Sequence, residues 1–227
     1  MKRENIQKFL KQFSLRTLII GGFFLLSLFV FAFIVNETFR EKEDAFDLSV
    51  MAFFSGHSNS AIIQAMRIIT FFGSSTFLFP AYVVLIGLFY FQKKLQEGVD
   101  ILVIALTSTV LMFGLKLVFH RLRPPTPLIK GITTYSFPSG HALSSFIFSG
   151  ILIYLIWKES VRPLWKYLSI GLLLLFSISI GISRIVLNVH YATDVIAGFC
   201  LGFAWVIFSF WILSRIRRRG NSMPVVK

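Results

Sequence analysis

Three short clusters of residues have the types and spacing needed to bind a tetrahedral oxyanion such as phosphate. They are Lys116 with Arg123-Pro124, the turn Ser139-Gly140-His141, and Ser183-Arg184 followed by His190 and Asp194. Arginine provides forked donors that match phosphate oxygens, and lysine adds a compact positive charge. Two histidines and one carboxylate add groups that can move protons or attack phosphorus. The joint occurrence of the three clusters therefore indicates phosphate chemistry.

The turn at residues 136–141, SFPSGH, precedes a long apolar run and can supply part of this site. The backbone amides of Ser139, Gly140 and His141 can cradle an oxyanion at a helix N-terminus, where the helix dipole favours negative charge. Glycine lets the backbone approach the anion closely. A Ser-Gly turn alone is more often a plain helix cap, so the turn is informative only together with the other clusters.

His190 and Asp194 are four residues apart and would share one face of a helix. Asp194 can then accept a hydrogen bond from one imidazole nitrogen and leave the other nitrogen free to attack. A single pair at this spacing is often only structural. Its occurrence beside two cationic clusters makes the catalytic interpretation the stronger one.

These residues resemble the three-part signature of the type-2 phosphatidic acid phosphatase family, which consists of membrane-integrated lipid phosphatases. The matching strings are Lys116-x6-Arg123-Pro124, Pro138-Ser139-Gly140-His141 and Ser183-Arg184-x5-His190-x3-Asp194. No signature position departs from the pattern, and the motifs extend from residue 116 to residue 194. The vanadium haloperoxidases share the same motifs, but they are soluble proteins.

The resemblance implies a role for each residue of the signature. His190 would form a phosphohistidine, Asp194 would orient it, and His141 would protonate the leaving oxygen. The remaining residues would hold the phosphoryl oxygens: Lys116, Arg123, Ser139, Gly140 and Arg184. The residue types alone predict the phosphate cradle, but they do not say which histidine attacks.

The elements that position these residues must belong to a membrane protein. Of 227 residues, 56% are hydrophobic and 15% are charged, and the mean hydropathy is +0.76. Soluble domains average about 25% charged residues. The net charge of +13 could indicate a nucleic-acid partner, but the basic residues gather at the ends of apolar runs, as the positive-inside rule predicts. We therefore expect no nucleic-acid partner.

The apolar runs predict an all-α integral membrane protein in which six transmembrane helices form a bundle. The runs cover about 17–35, 76–91, 99–119, 141–157, 164–182 and 195–214. The second run is short, and the segment AIIQAMRIITFFGSS before it can extend it. The first run is too long for a signal peptide core and is expected to remain as a span. We expect one membrane-integrated domain over 1–227, with a catalytic core at about 99–214.

Residues 44–58 have apolar positions at helical spacing, at Phe46, Val50, Phe53 and Phe54. This pattern predicts a short interfacial helix after span 1, although a loop packed on the bundle would fit as well. The acidic residues nearby are Glu37, Glu41, Glu43, Asp44 and Asp47. They could indicate a metal site, but a solvated charged face is the favoured interpretation.

The loop at 120–140 contains no Asp or Glu, whereas a two-metal phosphatase needs several carboxylates near its phosphate. We therefore expect catalysis without a metal or other cofactor. His57 and His120 lack a carboxylate four residues away, and we expect them to be peripheral.

The distribution of Lys and Arg predicts the orientation in the membrane. If both termini are cytoplasmic, 15 of the 23 cations lie on the inner side and 8 on the outer side. All three clusters then lie at the extracytoplasmic face of a multi-pass cell-membrane protein.

The function expected from the sequence is removal of the terminal phosphate from a lipid phosphate. Phosphatidylglycerophosphate is the favoured substrate, with undecaprenyl diphosphate and phosphatidic acid as alternatives. A phosphate-binding transporter or channel is the rival, but it would have repeated halves and charges at mid-membrane. The oligomeric state is not predicted.

Overall fold

A computed structural model describes residues 14–42 and 44–221, and all regular secondary structure in these residues is helical. We number the α-helices in chain order. They are α1 (Leu15–Asn36), α2 (Ala45–His57), α3 (Ser60–Phe71), α4 (Ser75–Phe91), α5 (Leu95–Phe119), α6 (Gly140–Lys158), α7 (Pro163–Val186) and α8 (Ala192–Asn221). A short π-helical segment, Glu37–Glu41, follows α1.

Within the described residues, six helical stretches are long and apolar enough to cross a membrane. They are Thr17–Glu41, Ser60–Phe91, Leu95–Phe119, Gly140–Lys158, Pro163–Val186 and Ala192–Arg218. Each overlaps one of the predicted apolar runs, so the six-span, all-α prediction is confirmed. Many large apolar side chains on these helices are exposed, which suits a lipid environment rather than water.

The second span is built from two helices, α3 and α4, as the extension of the short run predicted. The helices are separated at Phe72–Ser74, where the amides of Phe72, Gly73 and Ser74 donate to carbonyls three residues earlier. A Cβ on Gly73 would lie 2.5 Å from a side-chain carbon of Ile180 and 3.1 Å from the ring of His141. Glycine thus lets this break pack closely against α6 and α7.

A close backbone contact joins α6 and α8. A Cβ on Gly198 would lie 2.8 Å from the backbone oxygen of Ser139, and a Cβ on Gly202 would lie 3.3 Å from the backbone oxygen of Leu143. The two glycines therefore bring α8 against the backbone of α6, as small residues do between membrane helices. Below this contact, Leu143 and other buried aliphatic side chains of α5, α6 and α8 form one core cluster.

The helix predicted after span 1 is present as α2, and it packs on α7 and α8. Val50 and Phe54 contact a buried cluster beneath it, whereas Phe46 and Phe53 are exposed. Two of the four predicted apolar residues therefore pack on the protein, and the other two face the surroundings.

One part of the acidic-cluster prediction is wrong. Asp47 is only 1% exposed and does not belong to a solvated charged face, because α2 turns it toward the N-terminus of α8. Asp44 and the two glutamates Glu37 and Glu41 do not share this burial, and Glu43 lies outside the described residues.

Candidate active site

Chain connectivity brings the three clusters to one end of the helix bundle. Lys116 is in the last turn of α5, and His141 is in the first turn of α6. Arg184 is in the last turn of α7, and Asp194 is in the first turn of α8. Since α5 and α7 finish at the end of the bundle where α6 and α8 start, all four side chains lie at that end.

The loop that joins α5 to α6 is tied to the rest of this end by hydrogen bonds. The amide of Ser136 donates to the backbone oxygen of Arg121 at 2.8 Å, and that of Leu128 donates to Leu187 at 3.0 Å. The side-chain amide of Asn188 donates to the backbone oxygen of Thr126 at 2.8 Å. The prolines of this loop remove donors, so side chains and a few amides fix its path.

His190 lies at the centre of the site and is 1% exposed. Its Nδ1 is 3.3 Å from Oδ2 of Asp194 and 3.2 Å from the hydroxyl of Ser136. Its Nε2 is 3.1 Å from Nη1 of Arg123. A carboxylate can only accept and a guanidinium can only donate, so the neutral ring carries its proton on Nδ1 and a lone pair on Nε2.

Asp194 is fully buried, and both its oxygens are used. Oδ2 accepts from the Ser136 hydroxyl and, at 2.9 Å, from the Tyr191 amide. Oδ1 accepts from Nη1 of Arg121 at 2.6 Å. This arrangement satisfies a carboxylate that would otherwise be costly to bury, and it fixes the oxygen that faces His190.

Arg123 donates from all three guanidinium nitrogens to the surrounding chain. Nε donates to the backbone oxygen of Thr134 at 2.8 Å, and Nη1 donates to that of Val189 at 2.6 Å. Nη2 donates to the Thr134 hydroxyl at 3.0 Å and to the Tyr135 oxygen at 3.3 Å. These hydrogen bonds place the guanidinium beside Nε2 of His190.

Lys116 and Arg184 are two further buried cations. Nζ of Lys116 donates to the backbone oxygens of Tyr135 and, at 3.4 Å, Ser136. Nη1 of Arg184 donates to the hydroxyl of Thr70 at 2.6 Å, whereas its Nε is buried and has no hydrogen-bond partner among the described residues. Buried donors are usually paired, so the unpaired Nε marks Arg184 as able to receive an anion.

The turn at the start of α6 is arranged somewhat differently from the sequence prediction. The amide of Ser139 is not available to an anion, because it donates to the backbone oxygen of Asp194 at 3.0 Å. The amides of Gly140 and His141 begin the helix and have no acceptor within it. A Cβ on Gly140 would lie 2.7 Å from the sulfur of Met112, so a larger residue here would force the flexible Met112 side chain to shift.

His141 completes the group of residues that the sequence predicted. Its ring lies against Gly73, at the break in the second span. It is within electrostatic reach of four other predicted site residues, which are Arg184, His190, Arg123 and Lys116. The structure thus brings together the three clusters that are separate in the sequence.

The electrostatic setting keeps His190 neutral. Burial lowers the pKa of its imidazole to about 3, although the hydrogen bond and charge of Asp194 favour the protonated ring. Burial also lowers the pKa of Arg123, against the charge of Asp194. For Arg121 burial acts in the same direction, but the carboxylates of Asp194 and Asp47 outweigh it and raise its pKa.

Four polar residues at this end were not identified as site residues from the sequence. Ser136 contacts both His190 and Asp194, and Thr70 holds Arg184. Arg121 bridges Asp194 to Asp47. Ser136 begins the SFPSGH string and Arg121 lies two residues before Arg123, so both had a local signal. Asp47 and Thr70 come from distant segments and had none.

The other histidines lie at the margin. His120 is exposed and packs edge-on to the Tyr135 ring, while His57 is exposed at the end of α2. In the described part of the chain, no three His, Cys, Asp or Glu side chains are grouped so that they could hold a metal ion.

Comparisons with known proteins add a family and several relatives. The family described as the PAP2 superfamily matches residues 97–218, a range that contains all three clusters. Phosphatidylglycerophosphatase B of Bacillus subtilis strain 168 is 32% identical over 143 residues, which cover 61% of this chain and 69% of that protein. Undecaprenyl-diphosphatase of Sulfolobus acidocaldarius is 32% identical over 127 residues, covering 53% and 57%.

The fold also resembles a crystal structure. The transmembrane PAP2-type phosphatidylglycerolphosphate phosphatase from Bacillus subtilis aligns with a TM-score of 0.70 and 26% sequence identity. The alignment covers 88% of this chain and 98% of that one.

Proposed function

The chain belongs to the PAP2 superfamily, and from this premise we propose that it removes the terminal phosphate of a membrane lipid through a phosphohistidine on His190. The observation that supports this most directly is the arrangement of the His190 ring. Its Nδ1 faces Asp194, and its Nε2 lies 3.1 Å from Nη1 of the half-buried Arg123. A neutral imidazole whose Nε2 carries a lone pair is a competent nucleophile once the Arg123 donor turns away from it.

The reaction has two steps. Nε2 of His190 attacks phosphorus, an N–P bond forms, and the bond from phosphorus to the lipid oxygen breaks. His141 donates a proton to that oxygen as it leaves. A water molecule then attacks phosphorus, gives a proton to His141, and breaks the N–P bond to release inorganic phosphate. Asp194 accepts the Nδ1 hydrogen bond throughout and stabilises the positive charge that develops on the ring.

Five residues hold the phosphoryl oxygens in this proposal. Lys116, Arg123 and Arg184 supply charge, Gly140 supplies a first-turn amide, and Ser139 supplies its hydroxyl rather than its amide. Pre-positioned donors of this kind stabilise the charge of the transferring phosphoryl group. The unpaired Nε of Arg184 is a donor ready for this purpose.

The substrate we favour is phosphatidylglycerophosphate, which is also the substrate named for the Bacillus subtilis relative. Undecaprenyl diphosphate is a second candidate, because an undecaprenyl-diphosphatase is equally identical over a somewhat shorter stretch. Phosphatidic acid is a third. In each case the apolar chains would remain in the bilayer while the phosphate enters the site.

We place the whole activity in one membrane-integrated domain over 1–227, with its catalytic core at about 99–214. The site would face the extracytoplasmic side of the cell membrane, with both termini in the cytoplasm. No cofactor, metal or nucleic acid is required by this mechanism.

Phosphate release from purified lipids tests the proposal. The full-length protein in detergent is given phosphatidylglycerophosphate, undecaprenyl diphosphate or phosphatidic acid, with and without saturating EDTA. We expect EDTA-resistant release that is lost in His190→Ala. Vanadate should inhibit, because its trigonal-bipyramidal form resembles the transferring phosphoryl group. Activity that EDTA abolishes and magnesium restores would contradict the metal-independent mechanism, and no release from any lipid would overturn the function.

A further inference from the structure

Asp47 is a buried carboxylate outside the region matched by the family, and the proposed mechanism does not yet use it. It lies in the first turn of α2, on the face turned toward α8. An isolated buried carboxylate would cost several kcal/mol, so its partners must compensate for the loss of water. Those partners show what the residue does.

Two hydrogen bonds join Asp47 to the start of α8. Its Oδ1 accepts from the amide of Thr193 at 2.9 Å, and its Oδ2 accepts from the hydroxyl of Thr193 at 2.6 Å. Thr193 directly precedes Asp194. Asp47 therefore caps the N-terminus of α8 from another helix, where the helix dipole favours a negative charge.

A second route runs from Asp47 through Arg121. Nη2 of Arg121 donates to Oδ2 of Asp47 at 2.7 Å, while Nη1 donates to Oδ1 of Asp194 at 2.6 Å and to the Thr193 hydroxyl at 2.8 Å. One planar guanidinium thus spans the two carboxylates. Because the fork is rigid, the position of Asp47 determines where Arg121 holds Asp194.

The two routes converge on the carboxylate that faces His190. Arg121 occupies Oδ1 of Asp194, and this leaves Oδ2 toward Nδ1 of His190. Rotation of the Asp194 carboxylate would break that orientation. The guanidinium also stacks over the ring of Tyr191, with 4.1 Å from Cζ to the ring centroid, which restricts its movement further.

We infer that Asp47 is a positioning residue for the Asp194–His190 pair, acting through Arg121 and Thr193 from a helix that precedes the catalytic core. The inference rests on the proposed function of His190 and Asp194. Asp47 touches neither the reacting atoms nor the substrate in this scheme. Its loss should therefore slow the chemical step and leave lipid binding nearly unchanged.

The test compares Asp47→Asn with Asp44→Asn, which makes the same change at an exposed carboxylate three residues earlier in the chain. Asparagine keeps the size of Asp47 but places an NH₂ or a neutral oxygen against the donors of Arg121. Misplacement of a catalytic group can cost about 100-fold in rate. We expect kcat to fall about 10- to 100-fold with KM within about threefold, whereas Asp44→Asn should match the wild type.

A double variant tests the route through Arg121. Arg121→Lys keeps the positive charge but removes the fork, so it should lower kcat by a similar factor with KM unchanged. If Asp47 acts through Arg121, the double variant should lower kcat by a smaller factor than the product of the factors measured for the two single variants. Fully multiplicative losses would overturn this route. If Asp47→Asn does not fold, Arg121→Lys decides the question, and an unchanged kcat there would overturn the inference.

The outcomes also separate this inference from the proposed function. A wild-type protein that releases no phosphate contradicts the function. A wild-type protein that is active while folded Asp47→Asn keeps full kcat contradicts only the positioning role. Histidine ¹⁵N NMR measures the same coupling without turnover: the Nδ1 signal of His190 should shift in Asp47→Asn and not in Asp44→Asn, and an unshifted signal would refute the inference.

Discussion

At the scale of single residues, the two ring nitrogens of His190 face a hydrogen-bond acceptor on one side and a hydrogen-bond donor on the other. Asp194 can only accept and faces Nδ1, whereas Arg123 donates toward Nε2. The contact with Arg123 covers the lone pair that would attack phosphorus. In the proposed reaction this N–H must turn from Nε2 to a phosphoryl oxygen, so the donor that protects the nucleophile becomes a donor to the transition state.

The two histidines of the site should respond differently to the leaving group. General acid catalysis contributes about 10²- to 10⁴-fold, and the benefit is smaller when the leaving oxygen needs little protonation. His141→Ala should therefore strongly lower the rate of hydrolysis of a lipid phosphate and lower the rate for p-nitrophenyl phosphate much less. His190→Ala should abolish both activities and leave no acid-labile phosphoprotein.

Rates on both substrates and trapping of the phosphoenzyme check this assignment. Asp194→Asn provides a third comparison, because it should keep phosphate binding but slow both reactions. If His141→Ala lowers both activities equally, His141 is not the general acid. A phosphoprotein trapped in His190→Ala would exclude His190 as the nucleophile.

The protonation state of His190 gives a second test. Because burial lowers the pKa of its imidazole to about 3, the ring is neutral above that pH and becomes charged only below it. At pH 5 about 99% of such a group is unprotonated. Histidine ¹⁵N NMR at pH 5 should show a neutral ring protonated on Nδ1, and the signal should be absent from His190→Gln. A doubly protonated ring at pH 5 would contradict the buried, neutral nucleophile.

Most residues of the candidate site could be predicted from the sequence because each cluster is local. His190 and Asp194 are four residues apart, and that spacing is enough to place them on one helix face. Asp47 was missed because its partner Thr193 is 146 residues away, and no short-range pattern links them. Its sequence context, an acidic loop, pointed instead to a solvated surface. Only the packing of α2 on α8 shows otherwise.

At the scale of helices, the contact between α6 and α8 determines the shape of the site. The amide of Ser139 donates to the backbone oxygen of Asp194. Gly198, four residues after Asp194 on α8, packs against the backbone oxygen of Ser139. The first turns of the two helices are therefore held together. One carries the proposed phosphate-binding turn, and the other carries Asp194, the partner of the proposed nucleophile. A change in their separation should alter both parts of the site at once.

Gly198→Ala tests this contact. The new Cβ would lie 2.8 Å from the Ser139 oxygen and 3.2 Å from the Leu143 amide, and neither backbone atom can move easily. We expect a loss of about 1–3 kcal/mol in the free energy of unfolding, as overpacking causes, together with a lower kcat. Thermal unfolding in detergent and phosphate release measure the two effects.

Gly171→Ala in α7 is the matched control, because in the described residues no atom beyond its own stretch of helix lies within 4 Å of the added carbon. Alanine is favoured over glycine inside a helix by roughly 0.5–1 kcal/mol, so this variant should be as stable as the wild type or slightly more stable. If Gly198→Ala behaves like Gly171→Ala in stability and rate, the two helices are not in the tight contact described.

Helix positions were predictable from apolar runs because a span needs about 20 apolar residues. The break at Phe72–Ser74 within the second span was not predicted, although the Gly73-Ser74-Ser75 string gave a local signal. Its position depends on tertiary contacts: Thr70 holds Arg184 on one side of the break, and Gly73 packs against His141 on the other. Residues at and beside the break thus contact Arg184 and His141 of the candidate site.

At the scale of the whole molecule, the site depends on more than the region matched by the PAP2 superfamily. Residues 97–218 contain the three clusters, yet Thr70 and Asp47 belong to α3 and α2. Both make contacts with cations of the site. The first part of the chain therefore contributes to the geometry of the catalytic end as well as adding two spans.

The orientation of the molecule in the membrane remains a prediction from the distribution of cations. Five of the residues counted for the inner side, Lys2, Arg3, Lys8, Lys11 and Lys227, lie outside the described residues. The fold places the loop before α6 and the turn before α5 at opposite ends of the bundle. Labelling one residue at each end can therefore determine which end faces outward.

Thr133 is exposed in the loop at the catalytic end, and Gln92 is exposed in the turn between α4 and α5 at the opposite end. Cys200 is the single cysteine, so Cys200→Ser gives a background for introduced thiols. An impermeant thiol reagent added to intact cells should label Thr133→Cys and spare Gln92→Cys, which should react only after lysis. We expect this result because lysine and arginine favour the cytoplasmic side of spans. The reverse pattern would place the site in the cytoplasm and would require its lipid phosphate to come from the inner leaflet.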